Sequence, residues 1–150
     1  MAFKRYWATK DNTITNAYEQ NLRTRATGSS MGASDILEIF KIYGQSTTGS
    51  SAAAHELTRV LIQFPVTGSG IYEQGTKSIK ADRTAGNIPA SGSVNFYLKL
   101  YNAAHSQTTP RDYGIVGAAL SKDWQEGLGL DMDEYTDKNS QRAGSDWISA

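Results

Sequence analysis

The sequence predicts an all-β fold, an antiparallel β-sandwich with long Gly/Ser/Thr-rich loops in a single domain spanning residues 1–150. Three observations lead there. Glycine, serine and threonine number 14, 15 and 14, more than a quarter of the 150 residues, alongside eight tyrosines and three tryptophans. Turn-forming residues mixed with aromatics are typical of sandwiches rather than helical bundles. Residues 93–101 alternate strictly, with Val94, Phe96, Leu98 and Leu100 against Ser93, Asn95, Tyr97, Lys99 and Tyr101. A period of two over nine residues predicts a half-buried strand. The length suits one domain.

In chain order, residues 3–9 and 13–16 read as short strands. Residues 36–43 (Ile-Leu-Glu-Ile-Phe-Lys-Ile-Tyr) read as a strand apolar on both faces, suited to a doubly covered position or a subunit contact. Residues 51–64 admit two readings. Ala53, Leu57, Val60, Leu61 and Phe64 fall at helical spacing behind Ser51, whereas Val60, Ile62 and Phe64 share one face of a strand. The β-rich run Val-Leu-Ile-Gln-Phe and the extended bias imposed by Pro65 favour a strand over 58–64, with one helical turn at 52–56. Residues 113–121 read as a strand of small residues that lets another backbone approach. Val60, Ile62, Phe64, Val94, Phe96, Leu98 and Leu100 are the expected core. The stretches 21–34, 44–54 and 67–87 read as long loops, either flexible tips or segments that order against a neighbouring subunit.

Fifteen basic residues balance fifteen acidic ones, which argues against nucleic acid or an anionic membrane as partner. No apolar run approaches the roughly 18 residues of a membrane helix, and the first residues lack the apolar stretch of a signal peptide. The absence of cysteine removes disulfides, thiolate metal sites and a cysteine nucleophile. The two histidines, His55 and His105, stand in separate polar segments with no phosphate loop, nucleophile elbow or zinc motif around them. The expectation is a protein without enzymatic activity and without a cofactor.

Two groups of residues still have site character. Residues 123–137 hold six acidic residues and no basic one. Asp131, Asp133 and Asp137, with Glu126 and Glu134 nearby, are candidate oxygen ligands for Ca²⁺, although Tyr135 and Thr136 break the EF-hand pattern. A solvated acidic loop is the simpler alternative. Trp7, Trp124 and Trp147 are candidate aromatics for stacking on a glycan, or equally for core or interface packing.

The order of several motifs carries a resemblance. It runs Asp11-Asn-Thr-Ile-Thr-Asn16, Thr27-Gly-Ser-Ser-Met-Gly-Ala-Ser-Asp35, Arg59-Val-Leu-Ile-Gln-Phe64, Val94-Asn-Phe-Tyr-Leu-Lys-Leu-Tyr-Asn102 and Asp123-Trp-Gln-Glu-Gly-Leu-Gly-Leu-Asp-Met-Asp-Glu-Tyr135. This order resembles a family of virion structural proteins of tailed bacteriophages, common in marine phages. It is more distantly similar to jelly-roll modules of extracellular carbohydrate-binding proteins. The resemblance implies a jelly-roll-like sandwich and a place in the virion as capsid decoration, neck or tail component, after synthesis in the host cytoplasm. Its implied partners are other virion proteins and copies of the chain itself, with a host-surface glycan as the alternative. It also implies further strands after Gly-Ser-Asp-Trp. Either the sequence is the first part of a longer chain, the favoured expectation, or neighbouring subunits complete the sandwich.

Overall fold

In the structure, a computed structural model, residues 3–43, 55–72, 75–90, 92–104, 114–132 and 143–149 are described. Regular secondary structure is mostly strand. Among the described residues β1 (Lys10–Thr15), β2 (Lys41–Tyr43) and β3 (His55–Gln63) form one antiparallel sheet in the order β1-β3-β2, and one short helix, α1 (Ile79–Thr84), follows. β3 is the spine. Its residues 58–63 pair with β1 in the register Thr15↔Thr58 to Lys10↔Gln63, and its first three residues pair with β2. The strand reading of residues 58–64 therefore holds through Gln63, and strand replaces the helical turn at the two described residues of 52–56, His55 and Glu56.

β1 is unusual in burying four consecutive residues, Asn12 to Thr15, so that both faces are covered. Three of the four are polar, and each side chain bonds backbone groups of neighbouring segments. The Thr13 hydroxyl accepts from the Glu38 N–H at 3.1 Å. The Thr15 hydroxyl donates to the Leu57 carbonyl at 2.9 Å and accepts from the Ala17 N–H at 3.0 Å. Buried polar groups are tolerated when every one is partnered. The apolar core beside them is small: Ala17, Ala26, Met31 and Met132, with Phe40 packed against them.

Several expectations are corrected. Residues 94–101 and 114–120 form no strand, and no backbone hydrogen bond joins either segment to another described residue. Phe96, Leu98 and Leu100 are exposed rather than core, and Val94, Val60, Ile62 and Phe64 are half-buried. The alternation of 93–101 marks a face that needs cover, but the described part of the chain does not supply that cover. Of residues 36–43 only the last three pair, with Ile36 and Ile39 exposed. The first strand begins at Lys10 rather than Phe3. The stretch 21–34 folds inward instead of forming a tip, burying Ala26, Ser29, Ser30 and Met31. Residues 44–54 lie outside the described residues.

α1 lies within what read as a loop. Ser78 caps it, accepting from the Ala81 N–H at 3.1 Å and donating to the Gly68 carbonyl at 2.7 Å. Gly86, at φ 74°, follows the last turn in the left-handed conformation that glycine adopts without strain. The helix buries Asp82, which pairs with Lys4, accepts from the Tyr6 hydroxyl at 3.0 Å and accepts from the Asn87 amide at 3.0 Å. These contacts strap residues 4–6 over the helix.

Candidate functional site

The site grows from Asn12. Its side chain is fully buried and uses both ends: Nδ2 donates to Ser30 Oγ (3.2 Å) and the Ser145 carbonyl (2.9 Å), while Oδ1 accepts from the Met31 N–H (2.8 Å). One residue of β1 thus clasps two irregular segments. A third joins through Ser30, whose hydroxyl donates to the Glu126 carbonyl at 3.1 Å. Residues 125–128 and 143–145 lie side by side through Ser145 N–H to the Gln125 carbonyl (2.9 Å) and Leu128 N–H to the Ala143 carbonyl (3.2 Å).

Glycine makes this crossing possible. A Cβ on Gly129 would fall on the Ser30 carbonyl, and one on Gly127 would fall on the Ser30 hydroxyl and the Ala143 carbonyl. Gly127 also sits at φ 86°, where a side chain is strained in any case.

The clasp brings together two of the three tryptophans. Trp124 and Trp147 line one cleft of about 330 Å³ with Ile14 and Arg59 from the sheet, Ser121, and Asp146. The Arg59 guanidinium lies 4.2 Å from the Trp147 ring centre, and the Lys10 ammonium 4.9 Å from that of Trp124. Lys10 also bonds the Trp124 carbonyl at 2.5 Å and Asp123 at 3.3 Å. The Trp124 N–H and Lys10 hold the Asp123 carboxyl below its ordinary range. Asp146 closes a turn, accepting from the Ile148 and Ser149 N–H groups at 2.7 Å each.

The three aromatics therefore differ. Trp124 is only 7% exposed and packs as core; Trp147 is half-buried with Arg59 on its ring; Trp7 is 40% exposed and is not among the described residues lining the cleft. Trp147 is the one placed to meet a ligand inside the cleft. The side chains that line it offer stacking, cation–π contact and hydrogen bonding.

Of the acidic candidates, Asp131 is described and half-buried, with Oδ1 accepting from the Met132 N–H at 2.6 Å, while Asp133 and Asp137 lie outside the described residues. Among the described residues no group of three or more His, Cys, Asp or Glu is placed to hold a metal ion. Asp131 instead has Glu38 for a neighbour, and burial together with the Asp131 charge raises the Glu38 carboxyl above its usual value. A second acidic pair works alike. Asp11 is raised by burial and by the Glu126 charge, although its N–H donates to Glu126 Oε1 at 2.8 Å.

Sequence reasoning missed Asn12, Lys10, Arg59 and Glu38. Their one visible signal is a polar residue, Asn12, set inside a strand-forming run. Comparison with known proteins finds no matching family model, no matching curated protein and no matching solved structure.

Proposed function

We propose that the chain is a non-enzymatic structural subunit of a tailed-bacteriophage particle, a capsid decoration, neck or tail component, whose jelly-roll-like antiparallel sandwich is completed on assembly. In this reading its partners are other virion proteins and copies of itself, and its place is the virion. The observation that carries the reading is the pair of apolar segments 94–101 and 114–120. They stand open with Phe96, Leu98, Leu100, Ile115, Val116 and Leu120 in solvent. Large apolar side chains exposed in such runs are the material of interaction sites. The motif order that resembles phage structural proteins supplies the setting. Mass spectrometry of purified particles, read with cryo-electron microscopy, tests it: the reading requires the chain at regular positions in the particle, and its absence from particles overturns it.

A second reading, a glycan-binding jelly-roll module in a fibre or adsorption apparatus, draws support from the cleft where Trp147 lies beneath Arg59. It requires binding on a broad polysaccharide panel that Trp147→Ala weakens while the circular dichroism spectrum is retained. Retention of full binding by that variant would remove the cleft from consideration.

A further inference from the structure

Among the described residues, two halves of a sheet stand without a partner. The first is an edge. On the side of β3 away from β1, β2 covers residues 55–57, and Thr58 is bonded to Phe40 through its N–H at 3.2 Å. Beyond Thr58 no strand follows among the described residues. The backbone alternates, so the Val60 and Ile62 N–H and C=O groups face that open side. The second is a strand without a sheet, residues 94–101, which alternates apolar and polar yet has no backbone partner among the described residues.

We propose that residues 94–101 of one copy add as a strand to the open edge of β3 in a second copy of this chain, so that the protein is a homo-oligomer held by exchanged strands. The proposal rests on the reading of the chain as an assembly subunit and names its partner and its seam. The lengths agree, since eight residues more than span the edge from 59 to 63. The chemistry agrees as well. Directly opposed residues of neighbouring strands share a face, so pairing sets Phe96 and Leu98 beside Val60 and Ile62.

Three exposed aromatics alone supply about half of the area a standard interface needs. Phe96, Tyr97 and Tyr101 are 62%, 86% and 75% exposed. At about 200 Å² per aromatic side chain they alone offer on the order of 450 Å², against about 800 Å² per partner in a standard interface. A second copy is the occupant that already carries the complementary half, and an exchange in both directions closes the assembly symmetrically. Zero net charge removes the overall repulsion that opposes self-association.

The test uses the full chain in solution. Sedimentation equilibrium of the unaltered protein is expected to give an oligomer, and a monomer at every concentration overturns the proposal. The double variant Phe96→Glu with Leu98→Glu is expected to be a folded monomer whose circular dichroism spectrum loses only the strand signal of the exchanged segment, because both side chains are exposed in the single chain. An oligomer that survives it, folded, places the contact elsewhere and overturns the proposal.

Should that variant fail to fold, cross-linking decides. The chain has no cysteine, so Ile62→Cys copies mixed with copies carrying Cys at 96, 98 or 100 in turn should form a mixed disulfide in at least one pairing. None in any pairing overturns the proposal. A monomer that is nevertheless present in particles would sink this inference and leave the virion reading intact. An oligomer absent from particles would do the reverse.

Discussion

Replacing Asn12 by alanine removes three hydrogen bonds from a position with no access to water. Ser30 keeps its bond to the Glu126 carbonyl, but the Met31 N–H and the Ser145 carbonyl, both on buried residues, lose the bonds that Asn12 supplies. A buried polar group left without a partner costs about 1–3 kcal/mol, so two of them cost about 2–6 kcal/mol. A domain has only about 5–15 kcal/mol of total stability. The assay is urea unfolding followed by tryptophan fluorescence, which reports the buried Trp124, at one fixed protein concentration. The midpoint should fall sharply while the denaturant slope stays unchanged. The Asn12→Asp variant sharpens the test. A carboxylate in that fully buried site faces the Ser145 carbonyl, so its protonated form is favoured in the folded state. A carboxyl raised on folding makes the protein more stable as pH falls, because the protonated group regains a donor. A loss below about 1 kcal/mol for Asn12→Ala, or an Asn12→Asp variant that follows the pH profile of the unaltered protein, would refute the clasp as the organiser of these segments.

Other outcomes follow from the same geometry. Gly129→Ala should cost about 1–3 kcal/mol or more, as overpacking does, because its Cβ meets the Ser30 backbone. Gly70→Ala, whose Cβ meets nothing within 4 Å, should be near neutral in the same unfolding assay. Glu126→Gln keeps an oxygen for the Asp11 N–H but deletes the like charge, so the Asp11 carboxyl should move down toward its ordinary value in an NMR titration; an unmoved Asp11 would leave burial as the whole cause. The N-terminal strap should open at both ends of the pH scale. Lys4, Asn87 and Tyr6 hold Asp82 below its usual value against the cost of its burial. Its contribution is therefore complete above about pH 4 and is lost as pH falls through the depressed value. Burial, and then the bond to Asp82, push the Tyr6 hydroxyl up to about 12. That contribution is complete below about pH 10 and is lost as pH rises from there to about 12. Amide exchange of residues 3–9 should show both limbs, and Tyr6→Phe should weaken the alkaline one.

The sheet was legible where side-chain type and backbone preference agree. Val60 to Gln63 is rich in strand formers and does form a strand, which stops before Phe64 and Pro65, although Val60, Ile62 and Phe64 are only half-buried. Phe96 to Leu100 misled because periodicity reports that one face wants cover, not which chain provides it. α1 had its punctuation in plain view, Ser78 before it and Gly86 after it, but no apolar stripe between them to draw attention. Trp124 and Trp147 were candidates, yet nothing in their spacing announces one cleft. They meet because Gln125 pairs with Ser145, and that pairing depends on the fully buried Asn12 clasp. Hydropathy is silent about such a clasp, since its members are Asn, Ser and Gly.

That clasp also sets a timetable. Asn12 and Ser145 are 133 positions apart, and at about 5–20 residues per second roughly 7–27 s separate their emergence from the ribosome. β1 and β3 can pair long before then, while the Ser145 carbonyl that Asn12 needs has yet to be made. Through that interval a polar strand waits half-dressed, and contacts so distant along the chain also close slowly once both ends are present. The nascent chain is therefore at its most vulnerable to aggregation and proteolysis before residue 145 emerges, and a chaperone that shelters the early sheet through that interval would raise the yield of folded protein.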